Sequence, residues 1–330
     1  MLFSVSVVIP VYNSEATLKP LVKRLENILI TQASNYEIIL VNDGSRDDSW
    51  RVTCDIIERS PFVHGINLMR NYGQHNALLC GIRAAQHEVV VIMDDDLQHL
   101  PEDLPVLLAK LGNGYDVVYG KPEKEQHGIL RNLASQITKL ALQSAMGAET
   151  ARNVSPFKAF RTRLRDAFAT YQSPFVSIDV LLTWGTTGFT TVNVRYEPRR
   201  IGKSTYTFQK LVSHALNMMT GFSTLPLQLA SLIGFSFTLF GLGVLFYVLV
   251  AYLTQGREVP GFAFLASIIS IFSGAQLFAL GILGEYLARM HFRMMERPPY
   301  VVLSQTRGSE ISNTPIREIR AASPRIIPFG

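Results

Sequence analysis

Short apolar segments alternate with amphipathic segments through the first third of the chain. Apolar residues at every position or at every second position predict strands, and apolar residues spaced by three and four predict helices. The predicted strands cover residues 4–11, 37–41, 64–68, 88–93 and 116–119, and the predicted helices cover residues 16–30, 49–58 and 77–85. This alternation is typical of an α/β fold, in which helices cover both faces of a mostly parallel, Rossmann-like sheet.

Two long apolar segments follow in the last third of the chain. Residues 227–253 and 261–284 contain no Asp, Glu, Lys or Arg. Each segment is long enough to cross a hydrocarbon core about 30 Å thick at about 1.5 Å per residue. We therefore expect two C-terminal transmembrane helices. The alternative is a pair of buried core helices.

These patterns divide the chain into five parts. We expect an α/β domain over residues 1–205, an amphipathic juxtamembrane helix over 206–226, transmembrane helices over 227–253 and 261–284, and a C-terminal tail over 285–330. Prolines and polar residues predict that the tail is extended or poorly ordered from residue 306 onward. Residues 129–141 form a second amphipathic stripe. Such stripes fit either core packing or a helix that lies in the lipid interface.

The distribution of cations predicts an orientation in the membrane. The chain of 330 residues has 31 Lys and Arg against 26 Asp and Glu, a net charge of +5. Cations crowd the residues before the first apolar segment and after the second, whereas the loop over 254–260 holds only Arg257 and Glu258. The positive-inside bias therefore places the α/β domain and both termini in the cytoplasm, in a multi-pass protein of the inner or plasma membrane.

Composition also narrows the class of partner. The excess positive charge near the apolar segments suits anionic lipid headgroups, and no interleaving of basic and aromatic residues indicates nucleic acid binding. The N-terminus begins with a strand pattern, so no cleavable signal peptide is expected. Cys54 and Cys80 have neither metal nor disulfide spacing and are expected to be reduced.

Three consecutive carboxylates follow the fourth predicted strand. Asp94 and Asp96 occupy alternate positions, so their side chains point the same way if the pleat of the strand continues through them. Two like carboxylates so close together favour a cation, and hard oxygen ligands indicate Mg²⁺ or Mn²⁺. The alternative is a polar turn that caps the helix after Pro101.

Polar residues also follow the first three predicted strands. Because ligands bind at the carboxyl ends of parallel strands, we expect these residues and the three aspartates to form one site. Tyr12 is suited to stack on a base and Glu15 to accept hydrogen bonds from it, while Asp43 is suited to bind a uracil imide or a ribose hydroxyl. Arg70 offers a cation and Gly73 a close backbone approach. Each segment is also compatible with an ordinary turn.

Six segments of the chain resemble family 2 glycosyltransferases with the GT-A fold, and within them the polyprenyl-phosphate glycosyltransferases. The matching segments are Val-Val-Ile-Pro-Val-Tyr-Asn from Val7, Val-Asn-Asp-Gly-Ser from Val41, Arg-Asn-Tyr-Gly-Gln-His from Arg70, Asp-Asp-Asp-Leu-Gln from Asp94 with Pro101-Glu102, Gly-Lys-Ser-Thr-Tyr from Gly202, and Leu-Gly-Glu-Tyr from Leu283. The Asp-Leu-Gln segment from Asp96, with Pro101-Glu102, and the paired apolar segments are specific to the lipid-phosphate branch.

The resemblance implies a membrane enzyme whose α/β domain binds a nucleotide sugar. It would transfer a hexose or pentose, with inversion and with Mg²⁺ or Mn²⁺ as cofactor, from a nucleotide sugar with UDP as the expected nucleotide. The acceptor would be undecaprenyl phosphate or another polyprenyl phosphate, and the product would serve cell-envelope glycan synthesis. We also expect a homo-oligomer, with a tetramer as one option, because amphipathic helices and paired spans suit self-association.

The expected site residues fall into three groups. The metal ligands are Asp94 and Asp96, and the cations Arg200 and Lys203 act with them in catalysis by holding phosphate oxygens. The acceptor phosphate is expected at Arg131, Lys139 and Arg161. The nucleotide-sugar site is expected to contain Pro10, Tyr12, Glu15, Asp43, Arg70, Gly73, Asp95, Gln98 and Ser204.

One segment departs from the family pattern. Relatives have an Asp a few residues before the pair that is here Phe160-Arg161, whereas this chain has Arg-Asn-Val-Ser-Pro at 152–156. An alcohol acceptor would need such a carboxylate as a general base. A phosphate monoester, with a second pKa near about 6, is already an anion at neutral pH and needs none. The change also fits a different sugar or an inactive homologue.

Two other functions fit parts of the pattern. A processive polysaccharide synthase shares the fold, but such enzymes carry a Gln-x-x-Arg-Trp motif, and neither Trp50 nor Trp184 is preceded by Arg. A non-catalytic sensor or scaffold that binds a nucleotide sugar is the alternative from another class.

Overall fold

The computed structural model describes residues 2–122, 153–197, 225–255, 261–295 and 297–307. Both amphipathic stripes, most of the C-terminal tail, and five of the expected site residues (Arg131, Lys139, Arg200, Lys203 and Ser204) lie outside these ranges.

One mixed sheet organises the α/β part of the chain. Its strands are β1 (Ser4–Val11), β2 (Asn35–Asn42), β3 (Val63–Leu68), β4 (Val89–Ile92), β5 (Val117–Pro122), β6 (Lys158–Arg161), β7 (Phe189–Val194) and β8 (Val302–Arg307). They lie in the order β7-β5-β6-β4-β1-β2-β3-β8. Strands β6 and β8 run antiparallel to their neighbours, and the other pairs are parallel.

Helices cover both faces of this sheet. They are α1 (Glu15–Gln32), α2 (Ser49–Ile57), α3 (Gln74–Ala84), α4 (Leu104–Gly112) and α5 (Ile178–Thr183), with 3₁₀ turns at Pro101–Asp103 and Thr162–Phe168. Helices α1, α2 and α4 pack on one face, and α3 and α5 pack on the other. The strand residues of β4 are almost fully buried because both faces are covered.

The structure confirms the predicted fold class. All five predicted strands and all three predicted helices are present, with bounds that shift by one to three residues at most ends. The pattern missed β6, β7 and β8. Strand β6 was missed because it inserts antiparallel between β4 and β5, far from either in sequence. Strand β8 lies in the region expected to be a tail, where alternating exposed side chains give a weak signal.

Two long apolar helices, α6 (Leu225–Gln255) and α7 (Phe262–Met294), contain the two predicted spans apart from Gly261. The stretches long and apolar enough to cross a membrane are Pro226–Val244 and Ile271–His291, and neither is buried inside the protein. Their large apolar side chains are mostly exposed, which a pair of core helices would not show. The helices contact each other through the rings of Phe237 and Phe272, whose centroids are 5.4 Å apart.

The end of α7 and the residues after it contact the α/β part of the chain. The Arg289 guanidinium lies 4.6 Å from the centre of the Phe175 ring, in the loop before α5. Beyond α7, the N–H of Met69 donates to the carbonyl of Val301 (3.0 Å), and β8 then pairs with β3. The apolar helices are therefore attached on both the α5 side and the β3 side of the sheet.

Gly81 marks the close approach of α3 to the sheet, and we predict that Gly81→Ala destabilises the protein. A methyl group there would clash with the buried Val8 side chain and lie 3.1 Å from Val41 Cγ2. Overpacking of this kind lowers the free energy of unfolding by about 1–3 kcal/mol. Thermal unfolding of the detergent-solubilised protein measures the change.

The matched control is Gly112→Ala at the end of α4. A methyl group there meets only the Phe3 ring, at 3.9 Å, and we expect unchanged or slightly raised stability. Equal melting temperatures for Gly81→Ala and the wild type would contradict the assigned packing.

Candidate active site

The loops after β2 and β3 are joined by Asp43, which is 3% exposed. Its two carboxylate oxygens accept the backbone N–H groups of Tyr72 (2.7 Å) and Gly73 (2.9 Å). Burial raises the pKa of Asp43, and the two backbone N–H groups oppose this shift. Gly73, with φ of +97°, immediately precedes α3. Asp43 was expected to contact the nucleotide, but both its oxygens already hold the loop that carries Arg70 and Gly73.

A glycine lets these two loops approach each other. Gly44 has φ of +64°, and a side chain there would lie 2.5 Å from the backbone nitrogen of Asn71. Only glycine fits, both because of this contact and because left-handed backbone favours it.

The loops after β1 and β4 are joined by Asp95. Its Oδ2 accepts the backbone N–H of Tyr12 (3.2 Å) and the hydroxyl of Ser14. Desolvation raises the pKa of Asp95 to about 6, and these two hydrogen bonds oppose the shift. Asp43 and Asp95 together therefore hold four loops at the carboxyl edge of the sheet.

Asp94 and Asp96 lie on either side of Asp95 and are partly exposed. Asp94 accepts a hydrogen bond from the Gln74 side chain (2.7 Å), and Asp96 accepts the backbone N–H of Gln98 (3.1 Å). Strand β4 ends at Ile92, and Leu97 has φ of +60° in the turn that follows. The strand pleat therefore does not extend to Asp96, and it does not make the side chains of Asp94 and Asp96 point the same way.

The alternative role of these aspartates as helix caps is also excluded. The residues that precede the 3₁₀ turn at Pro101 and helix α4 are Leu100 and Asp103, and neither helical segment has a side-chain cap.

The donor set suits a hard divalent cation shared with a substrate. No group of three or more His, Cys, Asp or Glu side chains that could hold a metal occurs among the described residues. Mg²⁺ is commonly held by one or two carboxylates together with water and substrate phosphates, so two carboxylates suffice. Asp94 and Asp96, with Asp95 engaged by Tyr12 and Ser14, fit this pattern.

The remaining expected nucleotide-sugar residues lie along the same edge. Pro10 is buried near the end of β1, and Tyr12 is 42% exposed, as a ring available for stacking must be. The Arg70 guanidinium lies 4.5 Å from the centre of the Tyr72 ring. Glu15 differs from the expectation, because its carboxylate accepts the backbone N–H of Asp48 (3.1 Å) at the start of α2.

Arg161 does not lie at this edge. It pairs with Val89, the first residue of β4, so it is at the opposite end of the strand from Asp94. Its guanidinium lies 4.7 Å from the centre of the Phe3 ring and 3.4 Å from a carboxylate oxygen of Glu88. The expected contact between Arg161 and an acceptor phosphate does not fit this position, and we leave Arg161 out of the proposed site.

A second segment that the sequence did not reveal lies against the aspartate turn. The N–H of Glu197 donates to the carbonyl of Gln98 (2.9 Å), and Tyr196 forms a β-bridge with His99. Asp103 accepts three hydrogen bonds from Arg195. Nothing in the sequence links these positions, because more than ninety residues separate Asp103 from Arg195.

A buried ion pair lies beneath the site. Lys158, opposite Ile92 at the end of β4, is paired with Asp179 of α5, and the Tyr119 hydroxyl donates to Asp179 (3.1 Å). All three residues are almost fully buried, and burial together with the Asp179 charge raises the pKa of Tyr119. Asp179 is thus committed to Lys158 and does not replace the carboxylate missing at 152–156.

Comparison with known proteins identifies relatives over most of the chain. Residues 6–172 match the family model described as Glycosyl transferase family 2. The undecaprenyl-phosphate 4-deoxy-4-formamido-L-arabinose transferase of Pseudomonas savastanoi is 36% identical and covers 92% of this chain and 91% of its own length. The transferase of the same name from Klebsiella pneumoniae is 32% identical and covers 94% and 95%.

A solved structure shares the fold. Glucosyl-3-phosphoglycerate synthase from Mycobacterium tuberculosis, in complex with Mn²⁺, UDP-glucose and phosphoglyceric acid, superimposes with a TM-score of 0.50 at 18% identity, over 66% of this chain and 79% of that chain. This likeness shows the GT-A fold. With the family model matched from β1 to beyond β6, and relatives similar through the apolar helices, this chain belongs to glycosyl transferase family 2.

Proposed function

We propose that this protein transfers a sugar from a nucleotide sugar to undecaprenyl phosphate, or to a similar polyprenyl phosphate, with inversion and at the cytoplasmic face of the membrane. The observation that carries the proposal is the extent of similarity to proteins named undecaprenyl-phosphate transferases. It covers 92% of this chain and thus includes the two apolar helices as well as the α/β part.

The nucleotide is proposed to bind across the loops that Asp43 and Asp95 hold together. Tyr12 supplies an exposed ring for the base, and the loop from Arg70 to Gly73 supplies a cation and a backbone N–H near the phosphates. Because Asp43 accepts N–H groups from that loop, its proposed role is to fix the loop. UDP is the proposed nucleotide, as in the bound UDP-glucose of the mycobacterial synthase.

Asp94 and Asp96 are the proposed ligands of a divalent cation, Mg²⁺ or Mn²⁺. When bound, such an ion neutralises charge that develops on the departing diphosphate. The Gln74 amide donates to one carboxylate oxygen of Asp94, and the Gln98 N–H donates to one of Asp96, so both side chains are oriented before substrate arrives. Gln98, Arg200, Lys203 and Ser204 are proposed to contact the phosphates and sugar.

The acceptor is proposed to approach from the membrane side, where α7 meets the site. Arg289 of α7 lies on Phe175, and three residues later the N–H of Ile178 donates to His75 (3.4 Å), the neighbour of Gln74. A short series of contacts therefore links the end of an apolar helix to Asp94. Arg131 and Lys139 remain the proposed cations for the acceptor phosphate, and a homo-oligomer remains a prediction.

The acceptor is proposed to attack without a general base. A phosphate monoester with a second pKa near about 6 is ionised at neutral pH, so no proton has to be removed. Relatives have an Asp in the segment that is here 152–156. The part of this segment that the structure describes, residues 153–156, contains no carboxylate. Asp179 is ion-paired with Lys158.

The direct test incubates membranes that contain the protein with radiolabelled UDP-sugars, undecaprenyl phosphate and Mn²⁺. We expect label that extracts into organic solvent with the lipid. Label in polymer would instead indicate a processive synthase, and the absence of label with every donor sugar would contradict an enzymatic role.

We predict that Asp96→Ala abolishes transfer while the protein stays folded. Loss of a carboxylate ligand removes the stabilisation of the leaving diphosphate, and we expect the rate to fall by at least about 100-fold. The lipid-labelling assay measures the rate. Asp55→Ala is the control, because it removes an exposed carboxylate that pairs with the surface Lys19. Activity of Asp96→Ala near the wild-type level would remove Asp96 from the proposed metal site.

We predict that Asp95→Asn stabilises the metal-free protein at neutral and higher pH. The pKa of Asp95 in the folded protein, about 6, lies above its value in the unfolded chain. Ionisation of Asp95 therefore lowers the stability of the folded protein. The stabilising contribution of the protonated carboxyl is fully present below the unfolded pKa of about 4 and is lost as pH rises through about 6. An asparagine oxygen can still accept from Tyr12 and Ser14 without that cost.

The expected gain in unfolding free energy is about 1–3 kcal/mol at pH 8 and shrinks as pH falls toward 4. Melting temperatures in EDTA at several pH values measure it. A stability difference that is independent of pH would show that Asp95 has an ordinary pKa.

A further inference from the structure

The side chain of Asn76, in the first turn of α3, contacts two loops. The first is the Tyr72 loop, residues 69–73 between β3 and α3, and the second is the Pro174 loop, residues 169–177 before α5. Asn76 is 7% exposed, and its Nδ2 donates to the carbonyls of Tyr72 (2.6 Å) and Pro174 (3.2 Å). An amide NH₂ group has two hydrogens, so each carbonyl can accept one. One buried side chain therefore joins the two loops.

The orientation of the Asn76 amide follows from its two neighbours. Carbonyl oxygens accept hydrogen bonds and cannot donate them, so the amide nitrogen has to face them. This orientation leaves Oδ1 of Asn76 without a hydrogen-bond partner among the described residues. A buried polar atom without a partner costs stability. The two bonds to the loops are therefore what this side chain contributes at its position.

The Pro174 loop is held by α3 and by the apolar helix α7. Arg83, in the last turn of α3, donates to two carbonyls of the loop, at 3.1 and 2.7 Å. The Phe175 ring faces α7, where the Arg289 guanidinium lies 4.6 Å from the centre of the ring. The carbonyl that Asn76 contacts belongs to the peptide bond between Pro174 and Phe175. It therefore lies next to the residue that meets α7.

The Tyr72 loop, which is proposed to meet the nucleotide phosphates, is held from two sides. Asp43 accepts the N–H groups of Tyr72 and Gly73. Asn76 donates to the Tyr72 carbonyl, which belongs to the peptide bond between Tyr72 and Gly73. The N–H of this peptide is thus bound by Asp43 and its carbonyl by Asn76. The position of the peptide depends on both side chains.

We propose that Asn76 is a positioning residue that makes binding of the nucleotide diphosphate depend on the contact between α7 and the Pro174 loop. It acts through the Tyr72 carbonyl, because a shift of the Pro174 carbonyl displaces the amide that also holds the Tyr72 loop. The inference rests on the proposed function, in which the Tyr72 loop meets the phosphates. Asn76 is buried and is assigned no contact with substrate. Nucleotide affinity is higher while Arg289 lies on Phe175 than when that contact is lost.

The test is a double-mutant cycle on the affinity for UDP, measured by calorimetry with Mn²⁺ on the full chain in lipid nanodiscs. Phe175→Ala removes the ring that contacts α7, and Asn76→Ala removes the link between the loops. Each is expected to raise the Kd for UDP by about 5-fold to 20-fold, a usual size for coupling between two sites. The double variant is expected to lose no more than about 2-fold beyond the weaker-binding single variant, because both act through the same link. An unchanged Kd in either single variant, or losses that multiply, would overturn the proposal.

Further variants separate positioning from general stability and from added charge. Asn76→Asp keeps the shape of the side chain but loses both donors, and we expect it to bind UDP at least as weakly as Asn76→Ala. Asn67→Asp is the matched control, because Oδ1 of Asn67 accepts from Asn42 (2.7 Å) and an aspartate keeps that bond. We expect it to bind UDP as the wild type does, and equally weak binding by both Asp variants would overturn the proposal. Asn76→Ser keeps one donor and should show a smaller loss, so it serves if Asn76→Ala fails to fold.

Hydrogen exchange of the ligand-free protein separates this inference from the proposed function. Phe175→Ala should speed exchange in the Tyr72 loop, and it should add nothing in the Asn76→Ala background, where exchange of that loop is already fast. The loop after β1 should exchange at the wild-type rate in every variant. Equal exchange of the Tyr72 loop in Phe175→Ala and the wild type would overturn the inference. Failure to label lipid, with the exchange and UDP results as expected, would instead count against the proposed reaction alone.

Discussion

The site depends on two carboxylates, the buried Asp43 and the partly buried Asp95, that accept backbone N–H groups from neighbouring loops. A parallel sheet brings its loops to one edge but does not fix them, because each loop is attached only to its own strand and helix. Asp43 ties the loop after β2 to the loop after β3, and Asp95 ties the loop after β4 to the loop after β1. Their desolvation costs free energy, which the raised pKa values record. The hydrogen bonds offset part of that cost and hold the four loops together in two pairs.

The three consecutive aspartates have different hydrogen-bond partners. The middle residue, Asp95, turns toward Tyr12 and Ser14, while Asp94 and Asp96 meet the side chain of Gln74 and the N–H of Gln98. The local pattern Asp-Asp-Asp thus places one carboxylate with a structural role between the two that are proposed to bind the cation. The Lys158 and Asp179 pair below it is satisfied internally, so its charges do not compete with a bound cation.

The sequence predicted the features that are local or periodic and missed those that depend on distant pairs. Strands β1 to β5 follow from runs of apolar residues, and the two apolar helices follow from segments without charge. Strand β6 and the contact of Asp103 with Arg195 depend on residues far apart in the chain, for which one sequence contains no signal. Arg161 was misplaced for the same reason, because its distance from Asp94 depends on the antiparallel register of β6.

The short connection from α7 to β8 has a consequence for an enzyme that works on a bilayer. Val301 accepts the N–H of Met69, and Met69 is the residue immediately before Arg70. If α7 spans the membrane and the loop at Arg70 binds the nucleotide as proposed, the depth of α7 in the lipid would set the height of that loop above the headgroups. On the proposed function, the bilayer surface would then be the reference plane from which the position of the nucleotide site is measured.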